Sequence, residues 1–348
     1  MPKKRVLFLL TQIFDHGGIP RFNRNLVKSL PDSFDAEVLS LNDESKNNVV
    51  GFKRNKLLFV VHTFICLIQK PDLVIIGHIN FAPLIVLIRL FGLKNSLVLH
   101  GVEAWNPKSS QKLFLTYIRK FWPVSTYTRD RFLATTGVPS SRIELIFNAL
   151  PSNWKMRKHD GTEVKMILTV TRLDKNDGYK GVKEAISAIA ILKKEAKFES
   201  WRYKIVGSGS DLETHQQMVR DLNLTDDVEF MLNVSDEELK TLYDQCAFFL
   251  LVSTGEGFGI VYLEAMASAK PCVGSINSGA QDVIVDQQTG YLVNQTPEDI
   301  AQAISNLIND PSLRRNMGKL GFNRLNERFT YDKFQMRIKE LIKNTCVE

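Results

Sequence analysis

A glycine-rich turn between an apolar run and a helical pattern holds residue types that could bind a charged ligand. It reads Ser-Thr-Gly-Glu-Gly-Phe-Gly-Ile over residues 253–260 and follows the apolar run 247–252, which has the length of a buried strand. Glycine has no Cβ, so the turn can bring backbone N–H groups close to a ligand, and the helix behind it favours phosphate. Glu256 lies in the turn and Glu264 in the helix. The pattern indicates a ligand with phosphate at one end and hydroxyl groups at the other, although such turns also join strands to helices without binding anything.

Two basic residues follow the first predicted strand of the second half. The strand 165–171 ends at Arg172, and Lys180 follows in the same polar loop. At the carboxyl edge of a parallel sheet the two side chains can converge on a diphosphate. Asp174 and Asp177 resemble a metal-binding pair of carboxylates, but the two neighbouring basic residues favour a solvated loop instead.

Polar residues also follow apolar strands in the first half. The strand 5–10 leads to a Gly-Gly turn and a helix, without the spacing of the dinucleotide-binding fingerprint. Two later strands end in His-Gly-Val-Glu and in Val-Ser. A lone histidine is usually structural, but its position at the end of an apolar strand favours a ligand site. The candidates in this half are Gly17, Gly18, Arg21, His100, Glu103 and Ser125.

The order of predicted elements indicates the fold class. A chain of 348 residues is long enough for two domains, and both halves alternate strand and helix. We therefore predict an α/β protein of two doubly wound Rossmann-like domains that face each other across a cleft. The predicted domains are residues 1–155 and 156–330, and a final helix in 331–348 is expected to pack back on the first domain.

Charge separates the two halves. Residues 1–155 contain 21 Lys and Arg against 10 Asp and Glu, whereas residues 156–348 contain 24 against 28. A basic first half suits nucleic acid or an anionic membrane surface. No zinc-finger spacing, aromatic RNA-binding pattern or basic stripe is present, so nucleic acid is not expected. The four cysteines are far apart and form no CxxC pair, which argues against a zinc site or disulfides and predicts a cytoplasmic protein.

Two apolar segments are too short or too interrupted to predict membrane spans. Residues 57–68 are apolar on all sides and predict a buried helix, and residues 81–93 are interrupted by Arg89. Basic residues around 53–56, 89–94 and 108–120 suit peripheral attachment to an anionic membrane. A solvated basic face beside buried helices is the alternative.

Taken together, these motifs resemble those of the family 4 retaining glycosyltransferases, which have the GT-B fold. The resemblance covers nearly the whole chain and is strongest from Arg172 onward. Its most specific motif is Glu256-x₇-Glu264 within Gly-Glu-Gly-Phe-Gly-Ile. Two departures are Asn233, where a glycine is common, and the turn Ala-Gln-Asp at 280–282.

The resemblance implies a role for each motif. Glu264 would accept hydrogen bonds from the ribose of the donor, Arg172 and Lys180 would neutralise the leaving diphosphate, and Glu256 would hold the donor sugar. His100 would meet the sugar from the opposite domain. The other implied donor-binding residues are Gly17, Gly18, Gly207, Phe258, Gly259 and Ile260, and the implied acceptor-side residues are Arg21, Glu103 and Ser125.

The resemblance also implies the reaction. A hexose or N-acetylhexosamine would move from a UDP- or GDP-sugar to a hydroxyl of a saccharide or lipid-linked acceptor, with retention of configuration and without a metal or other cofactor. No carboxylate pair suited to double displacement is evident. Same-face attack assisted by the departing phosphate is expected instead. The rival hypotheses are a GT-B sugar-nucleotide epimerase and a non-catalytic nucleotide-sugar-binding protein.

Overall fold

The structure, a computed structural model, describes residues 3–15, 17–150, 154 and 164–347. The strands are β1 (Lys4–Leu10), β2 (Phe34–Ser40), β3 (Val49–Gly51), β4 (Leu73–Ile76), β5 (Asn95–Leu99), β6 (Lys120–Pro123), β7 (Met166–Val170), β8 (Arg202–Val206), β9 (Val228–Met231), β10 (Phe248–Leu251), β11 (Cys272–Ser275) and β12 (Gly290–Val293).

The helices lie between these strands and after the last of them. They are α1 (Gly18–Lys28), α2 (Lys56–Ile68), α3 (Ile85–Leu90), α4 (Val102–Trp105), α5 (Ser109–Leu115), α6 (Thr126–Thr136), α7 (Val182–Lys194), α8 (Leu212–Asp221), α9 (Asp236–Gln245), α10 (Ile260–Ala267), α11 (Ala280–Val283), α12 (Pro297–Asn309), α13 (Pro311–Arg328) and α14 (Tyr331–Val347). Short 3₁₀ helices occupy Ile79–Leu84, Ser140–Arg142 and Lys175–Lys180.

The chain divides into two compact units, Met1–Pro151 with Phe329–Glu348, and Ser152–Arg328. Each unit contains a parallel sheet of six strands, in the order β3-β2-β1-β4-β5-β6 in the first and β12-β11-β10-β7-β8-β9 in the second. This confirms the predicted α/β class with two doubly wound sheets. The predicted boundary between residues 155 and 156 lies outside the described residues, and the boundary at 330 stays a prediction.

The final helix, α14, belongs to the first unit. Its Phe334 ring packs edge-on against Phe22 of α1, with 5.5 Å between ring centroids. The Arg337 guanidinium Nε donates a hydrogen bond to the carbonyl oxygen of Leu145 at 3.1 Å. Burial of the apolar side of α14 against α1 explains why the chain returns to this unit after completing the second sheet.

The burial predicted for residues 57–68 is wrong, although the helix itself is confirmed as α2. Phe59, Thr63, Cys66 and Leu67 are buried, and three of them join the apolar core beneath the helix. The apolar side chains on the other sides are exposed, namely Leu57, Leu58, Val60, Val61, Phe64, Ile65 and Ile68. The reason is that α2 lies on the outside of the sheet, so only the inward side of the helix is covered within this unit.

Two other segments of the first unit form short elements. The apolar segment 81–93 forms part of a 3₁₀ helix and then the short α3. The basic segment 108–120 contains α5, which ends at Leu115, and the start of β6 at Lys120. None of the helices in the described ranges is both long and apolar enough to cross a bilayer.

Both sheets change winding direction beside their first strand. In the first sheet β2 lies on one side of β1 and β4 on the other, and in the second β8 and β10 flank β7 in the same way. In doubly wound sheets, ligands bind outside the carboxyl ends of the strands at such a switch point. The loops that follow β1, β4, β7 and β10 are therefore the places to look for a site in each unit.

Candidate functional site

An ion pair joins the loops that follow β7 and β10. Lys180 Nζ lies 2.9 Å from Glu256 Oε2, and the two side chains are 15% and 19% exposed. The backbone around the pair is also joined, since the Thr254 N–H donates to the carbonyl of Tyr179 at 3.0 Å. The amide Nε2 of Gln295 donates to the carbonyls of Tyr179 and Val252, at 2.9 and 2.7 Å. The structure thus brings together two predicted site residues from distant parts of the sequence.

Arg172 lies at the end of β7 and is much more exposed. Its Nη2 is 3.0 Å from Asp177 Oδ2, while the Arg172 side chain is 68% exposed. Asp177 also accepts a hydrogen bond from the Tyr179 hydroxyl at 2.7 Å. Burial, together with the hydrogen bond to Asp177, raises the pKa of Tyr179 well above its usual value, so Tyr179 stays a donor. Asp177 thereby connects Arg172 with the segment that carries Lys180.

Packing within the protein disfavours a side chain at two of the three glycines of the 253–260 turn. A Cβ on Gly255 would lie 2.0 Å from the Tyr179 ring, and a Cβ on Gly259 would lie 2.3 Å from the Tyr262 ring. Gly259 also has a φ of 92°, which favours glycine. Close packing against the two tyrosines is therefore sufficient to explain these two glycines, whether or not a ligand approaches them.

The helix α10 begins directly after this turn. The side chains of Phe258 and Ile260 are buried, at 3% and 6% exposure. Any contact of these residues with a ligand would therefore involve backbone N–H groups, which point outward at a helix N-terminus and favour an anion. Donor binding by Phe258, Gly259 and Ile260 therefore stays a prediction, and it would use their backbone N–H groups.

Glu264 lies in the interior of the second unit. Its side chain is fully buried on α10, and the Tyr243 hydroxyl of α9 donates to Glu264 Oε2 at 2.9 Å. The ring of Trp154 packs edge-on against Tyr243, with 5.7 Å between centroids. The contact of Glu264 with a ribose stays a prediction, and the structure adds Tyr243 as the residue that holds this carboxylate.

Two backbone positions in the second unit match the predicted motifs in conformation. A Cβ on Gly207 would lie 1.8 Å from the carbonyl oxygen of Thr171, so the close approach of β8 and β7 requires glycine there. Asn233 has a φ of 54°, in the left-handed region that asparagine tolerates better than most residues. The departure from glycine at Asn233 therefore keeps the backbone conformation that glycine would adopt.

In the first unit, Gly17 and Gly18 start α1 at the switch point of the sheet. Gly17 has a φ of 121° and precedes the helix, and Gly18 is its first residue. A Cβ on Gly18 would meet no atom within 4 Å, and a Cβ on Gly17 would meet only Pro20 Cδ, at 3.9 Å. Steric packing therefore does not require glycine at residue 18, and the approach of a ligand to this backbone stays a prediction. Arg21 follows on the same helix and is half-buried.

His100 is buried at the end of β5. Its Nε2 lies 2.9 Å from the carbonyl oxygen of Gly77, and the Phe22 ring packs edge-on at 5.0 Å. A carbonyl can only accept, so Nε2 carries the proton, and in the neutral ring Nδ1 is an acceptor. Burial lowers the pKa of His100 to about 4, against the opposing effect of Glu103, and nearby His78 lowers it further. His100 is thus a neutral imidazole near pH 7.

Glu103 and Ser125, which were also predicted on the acceptor side, accept hydrogen bonds from backbone N–H groups. Glu103 Oε1 accepts hydrogen bonds from the N–H groups of His100 and Gly101, at 2.9 and 3.0 Å. Ser125 is fully buried and its hydroxyl accepts the N–H of Thr128 at 2.9 Å, which caps α6. Their contact with an acceptor stays a prediction, while the structure assigns Glu103 to positioning His100 and Ser125 to starting a helix.

A cavity of about 440 Å³ opens beside the carboxyl ends of β1 and β2 in the first unit. It is lined by Gln12, Phe14, Asp15, Asn42, Asp43, Glu44, Ser45, Lys46 and Arg54. The Phe14 ring is 39% exposed, and Asp43 is held by the Ile13 N–H at 2.6 Å and the Ser40 hydroxyl at 2.7 Å. An aromatic ring among amides and carboxylates suits a ligand rich in hydroxyl groups.

Sequence reasoning did not identify several of these residues. Tyr179 stands beside Lys180 in the predicted loop, and its position there was the available signal. Tyr243 and Gln295 gave none, because each is an isolated residue whose partners are distant in the sequence. For the cavity, the available signal was the polar run 42–46, which follows the second strand.

The second unit matches a known family. Residues 153–324 match the family model described as glycosyl transferases group 1. The second unit belongs to this family. Among solved structures, Anabaena HepE in complex with UDP and glucose superposes with a TM-score of 0.82 at 17% identity, covering 98% of this chain and 100% of the other. A sucrose-phosphate synthase from Thermosynechococcus elongatus superposes with a TM-score of 0.82 at 18% identity, covering 98% and 99%. These likenesses show the GT-B fold.

Three curated relatives match parts of this chain. The alpha-1,3/1,6-mannosyltransferase ALG2 of Dictyostelium discoideum is 31% identical over 38% of this chain and 31% of its own length. An uncharacterized glycosyltransferase of Methanocaldococcus jannaschii is 26% identical over 70% and 67%. The GDP-mannose-dependent alpha-(1-6)-phosphatidylinositol monomannoside mannosyltransferase of Mycolicibacterium smegmatis is 31% identical over 57% and 55%. The matches thus cover between 31% and 67% of the lengths of these relatives.

A pH dependence of stability follows from the buried His100. Its pKa is about 4 in the folded protein and about 6.5 when unfolded, so stability is complete above pH 6.5. As the pH falls from 6.5 through 4, His100 binds a proton more readily in the unfolded chain than in the folded chain. The free energy of unfolding therefore decreases. We expect a smaller decrease in His100→Gln, whose amide can still donate to Gly77. Urea unfolding at pH 7 and pH 4.5 measures the difference, and equal decreases in both proteins contradict this assignment.

Proposed function

We propose that this protein is a retaining glycosyltransferase. It moves a hexose or N-acetylhexosamine from a nucleotide diphosphate sugar to a hydroxyl of a saccharide or lipid-linked saccharide, in cell-surface polysaccharide or glycolipid synthesis. The observation that carries the proposal is the ion pair of Lys180 and Glu256 at the switch point of the second sheet, with Arg172 on the same edge. All three residues lie within the segment that matches the family.

The relatives support a nucleotide sugar as the donor. The name of the Mycolicibacterium smegmatis relative specifies GDP-mannose, and HepE was solved with UDP and glucose. Both UDP- and GDP-sugars are therefore candidate donors. Lys180 contacts Glu256 in the loop that leads into α10, and Arg172 lies on the same edge of the sheet. Two cations near a helix N-terminus suit a diphosphate.

In the proposed reaction the second unit stabilises the leaving diphosphate. As the glycosidic bond to the phosphate breaks, negative charge grows on the phosphate oxygens, and fixed cations and N–H groups stabilise that charge. Glu256 holds Lys180 in place and can accept a hydrogen bond from a hydroxyl of the donor sugar. Retention follows if the acceptor attacks from the side that the phosphate leaves, and the departing phosphate takes the acceptor proton. The protein then acts mainly by positioning and by charge.

The acceptor is proposed to bind the first unit. Two features support this placement: the uncrowded backbone at Gly18, and the polar cavity that contains Phe14 at the ends of β1 and β2. Neutral His100 would accept a hydroxyl hydrogen bond at Nδ1 but would not supply a positive charge near pH 7. A cytoplasmic location, at the inner face of the cell membrane, is part of the same proposal.

A panel of UDP- and GDP-sugars tests the function. A donor that binds the native state raises the apparent stability, by about 2.7 kcal/mol at a hundred times its Kd. We expect one or a few sugars of the panel to raise the melting temperature and to be hydrolysed slowly without an acceptor. Analysis of products with and without acceptor distinguishes transfer from epimerisation. If no nucleotide sugar stabilises or reacts with the protein, the proposal is wrong.

Transfer is expected to proceed without a metal ion. Arg172 and Lys180 provide at the diphosphate the charge that a divalent cation provides in other enzymes. Activity should therefore be unchanged by excess EDTA and by added Mg²⁺ or Mn²⁺. Loss of activity in EDTA that either ion restores would contradict the metal-independent proposal while leaving the transfer reaction itself in place.

A further inference from the structure

The outward side of α2 is an unusually apolar surface. Leu57, Leu58, Val61, Phe64, Ile65 and Ile68 are between 43% and 73% exposed, and we call these six side chains the α2 patch. Between Lys56 and Lys70 the sequence contains no Asp, Glu, Lys or Arg. Exposed apolar surface that is contiguous over a whole helix usually marks a place where another apolar medium binds.

The apolar surface continues onto neighbouring elements of the same unit. The Phe64 ring contacts the Phe91 ring at the end of α3, with 5.7 Å between centroids. Leu90 beside it is 75% exposed. The guanidinium of Arg89 stacks on the Tyr117 ring at 4.2 Å, and so connects α3 with the segment after α5. The inward sides of α2, α3 and α5 contribute to the same core, so these three helices cover one side of the sheet together.

Most charges in the sequence around the α2 patch are positive. Two carboxylates from earlier in the chain lie close to α2 and are paired with cations: Glu37 contacts Cys66 on the buried side of α2 and pairs with Arg5, and Glu44 pairs with Lys53. Residues 45–129, which include α2, α3 and α5, contain twelve Lys and Arg and only two acidic residues, Asp72 and Glu103. Both carboxylates accept hydrogen bonds from backbone N–H groups. Asp72 accepts one from Arg5 at 2.8 Å, and Glu103 accepts those of His100 and Gly101. Lys56 and Lys70 are exposed at the two ends of α2.

An apolar face between exposed cations complements an anionic lipid surface. Apolar side chains gain free energy by leaving water for the acyl region, and the lysines at the helix ends can reach headgroup phosphates. A second copy of the chain is a poorer partner, because a symmetric dimer would place the same patch, with the same positive surroundings, against itself.

We propose that the α2 patch docks this protein on an anionic membrane surface, with α2 lying in the interface and not spanning it. The six side chains enter the boundary between headgroups and acyl chains, and Lys56 and Lys70 lie at the level of the phosphates. This inference is separate from the transfer reaction, because it concerns binding to vesicles that contain no acceptor.

The test is flotation with phosphatidylcholine vesicles, with and without phosphatidylglycerol, at low and high salt. We expect the wild-type protein to float only with the anionic vesicles, and more weakly at high salt. The triple variant Leu57→Ser/Phe64→Ser/Ile68→Ser should partition at least about tenfold less, because three exposed apolar side chains no longer enter the bilayer. Lys56→Gln/Lys70→Gln should weaken binding mainly at low salt.

A matched control carries the same kind of change elsewhere. Leu222, Leu320 and Met336 are also exposed, at 38%, 39% and 61%, and lie directly after α8, on α13 and on α14, respectively. Leu222→Ser/Leu320→Ser/Met336→Ser should float like the wild type. Circular dichroism and thermal unfolding establish that each variant is folded before flotation is compared.

Three results would overturn the proposal. The first is a wild-type protein that binds neither kind of vesicle at either salt concentration. The second is equal flotation of the α2 triple variant and the wild type, which would place membrane binding elsewhere. The third is a wild-type dimer in solution that the α2 triple variant abolishes while vesicle binding is absent, which would identify a second copy as the partner.

Discussion

Replacing Lys180 by alanine is expected to lower kcat by about 30- to 900-fold, which corresponds to roughly 2 to 4 kcal/mol of transition-state stabilisation. The ammonium group lies 2.9 Å from Glu256 with only 15% of the side chain exposed, so solvent screens its charge weakly. Charge on the departing phosphate grows as the bond breaks, and therefore the loss should appear in kcat more than in KM. Steady-state kinetics with the donor identified from the nucleotide-sugar panel measures the effect.

Arg172→Ala should reduce kcat in the same direction with little change in stability. The Arg172 side chain is 68% exposed, and its ion-pair partner is Asp177. When Arg172 is removed, Asp177 still accepts the hydrogen bond from the Tyr179 hydroxyl. We expect a loss at the lower end of the range given for Lys180, since solvent screens an exposed charge more strongly.

Lys204→Ala is the matched control for both variants. Lys204 on β8 forms an ion pair with Glu229 at 3.1 Å and is 25% exposed, so it resembles Lys180 in burial and pairing. It lies on a strand and not on the predicted phosphate-binding edge, and its removal should leave kcat close to that of the wild type. Near-wild-type turnover in both Lys180→Ala and Arg172→Ala would contradict their assignment to the diphosphate.

Gly255→Ala is expected to lower the free energy of unfolding by about 1 to 3 kcal/mol, the usual cost of forcing extra volume into a packed site. The added Cβ would lie 2.0 Å from the Tyr179 ring, and the ring is held in place by the hydrogen bond of its hydroxyl to Asp177. Because Tyr179 is the neighbour of Lys180, displacement of the ring should also disturb the ion pair with Glu256 and reduce turnover.

A double-mutant cycle identifies the cause of this loss. If the clash with the ring is responsible, Gly255→Ala should cost much less in a Tyr179→Ala background. Gly178→Ala provides the control, because Gly178 lies in the same loop and a Cβ there would meet no atom within 4 Å. Urea unfolding of the four proteins gives the coupling. The packing explanation fails if Gly255→Ala is as stable as the wild type, or costs the same with and without the Tyr179 ring.

Membrane docking and catalysis involve different residues, and their tests are independent. The α2 patch lies in the first unit, whereas Lys180, Glu256 and Arg172 lie in the second. Lys180→Ala should therefore float like the wild type, and the α2 triple variant should retain activity towards a water-soluble acceptor. For a lipid-linked acceptor in vesicles, the same triple variant should lose activity because it no longer reaches the substrate surface.

The alternation of short apolar runs with helical patterns was enough to predict the two doubly wound sheets. A strand buried on both faces must be apolar throughout, and this is visible without knowledge of its neighbours. The same reasoning identified Arg172, Lys180, Glu256 and His100 as candidates. Each follows a predicted strand, and polar residues at the carboxyl ends of parallel strands lie at the ligand-binding edge. The family resemblance then followed from the order of these motifs.

Which of these residues touch one another was decided by the tertiary structure. The ion pair of Lys180 and Glu256 depends on the adjacency of β7 and β10, two strands that are far apart in the sequence. The tight packing of Gly255 depends on the position of the Tyr179 ring, and the burial of Glu264 depends on the Tyr243 hydroxyl of another helix. A spacing rule gives the side of one element on which a residue lies, but not the partner that it meets there.

The contrast is clearest for α2. Its sequence predicted a helix and, wrongly, burial on every side. A helix that is apolar all round has no 3.6-residue period, so the pattern does not indicate which side faces the core. The sequence alone determined that this segment is helical, apolar and bordered by cations. Only the tertiary structure decided that half of it lies exposed on the outside of the sheet, because the number of layers that cover a helix is a property of the whole fold.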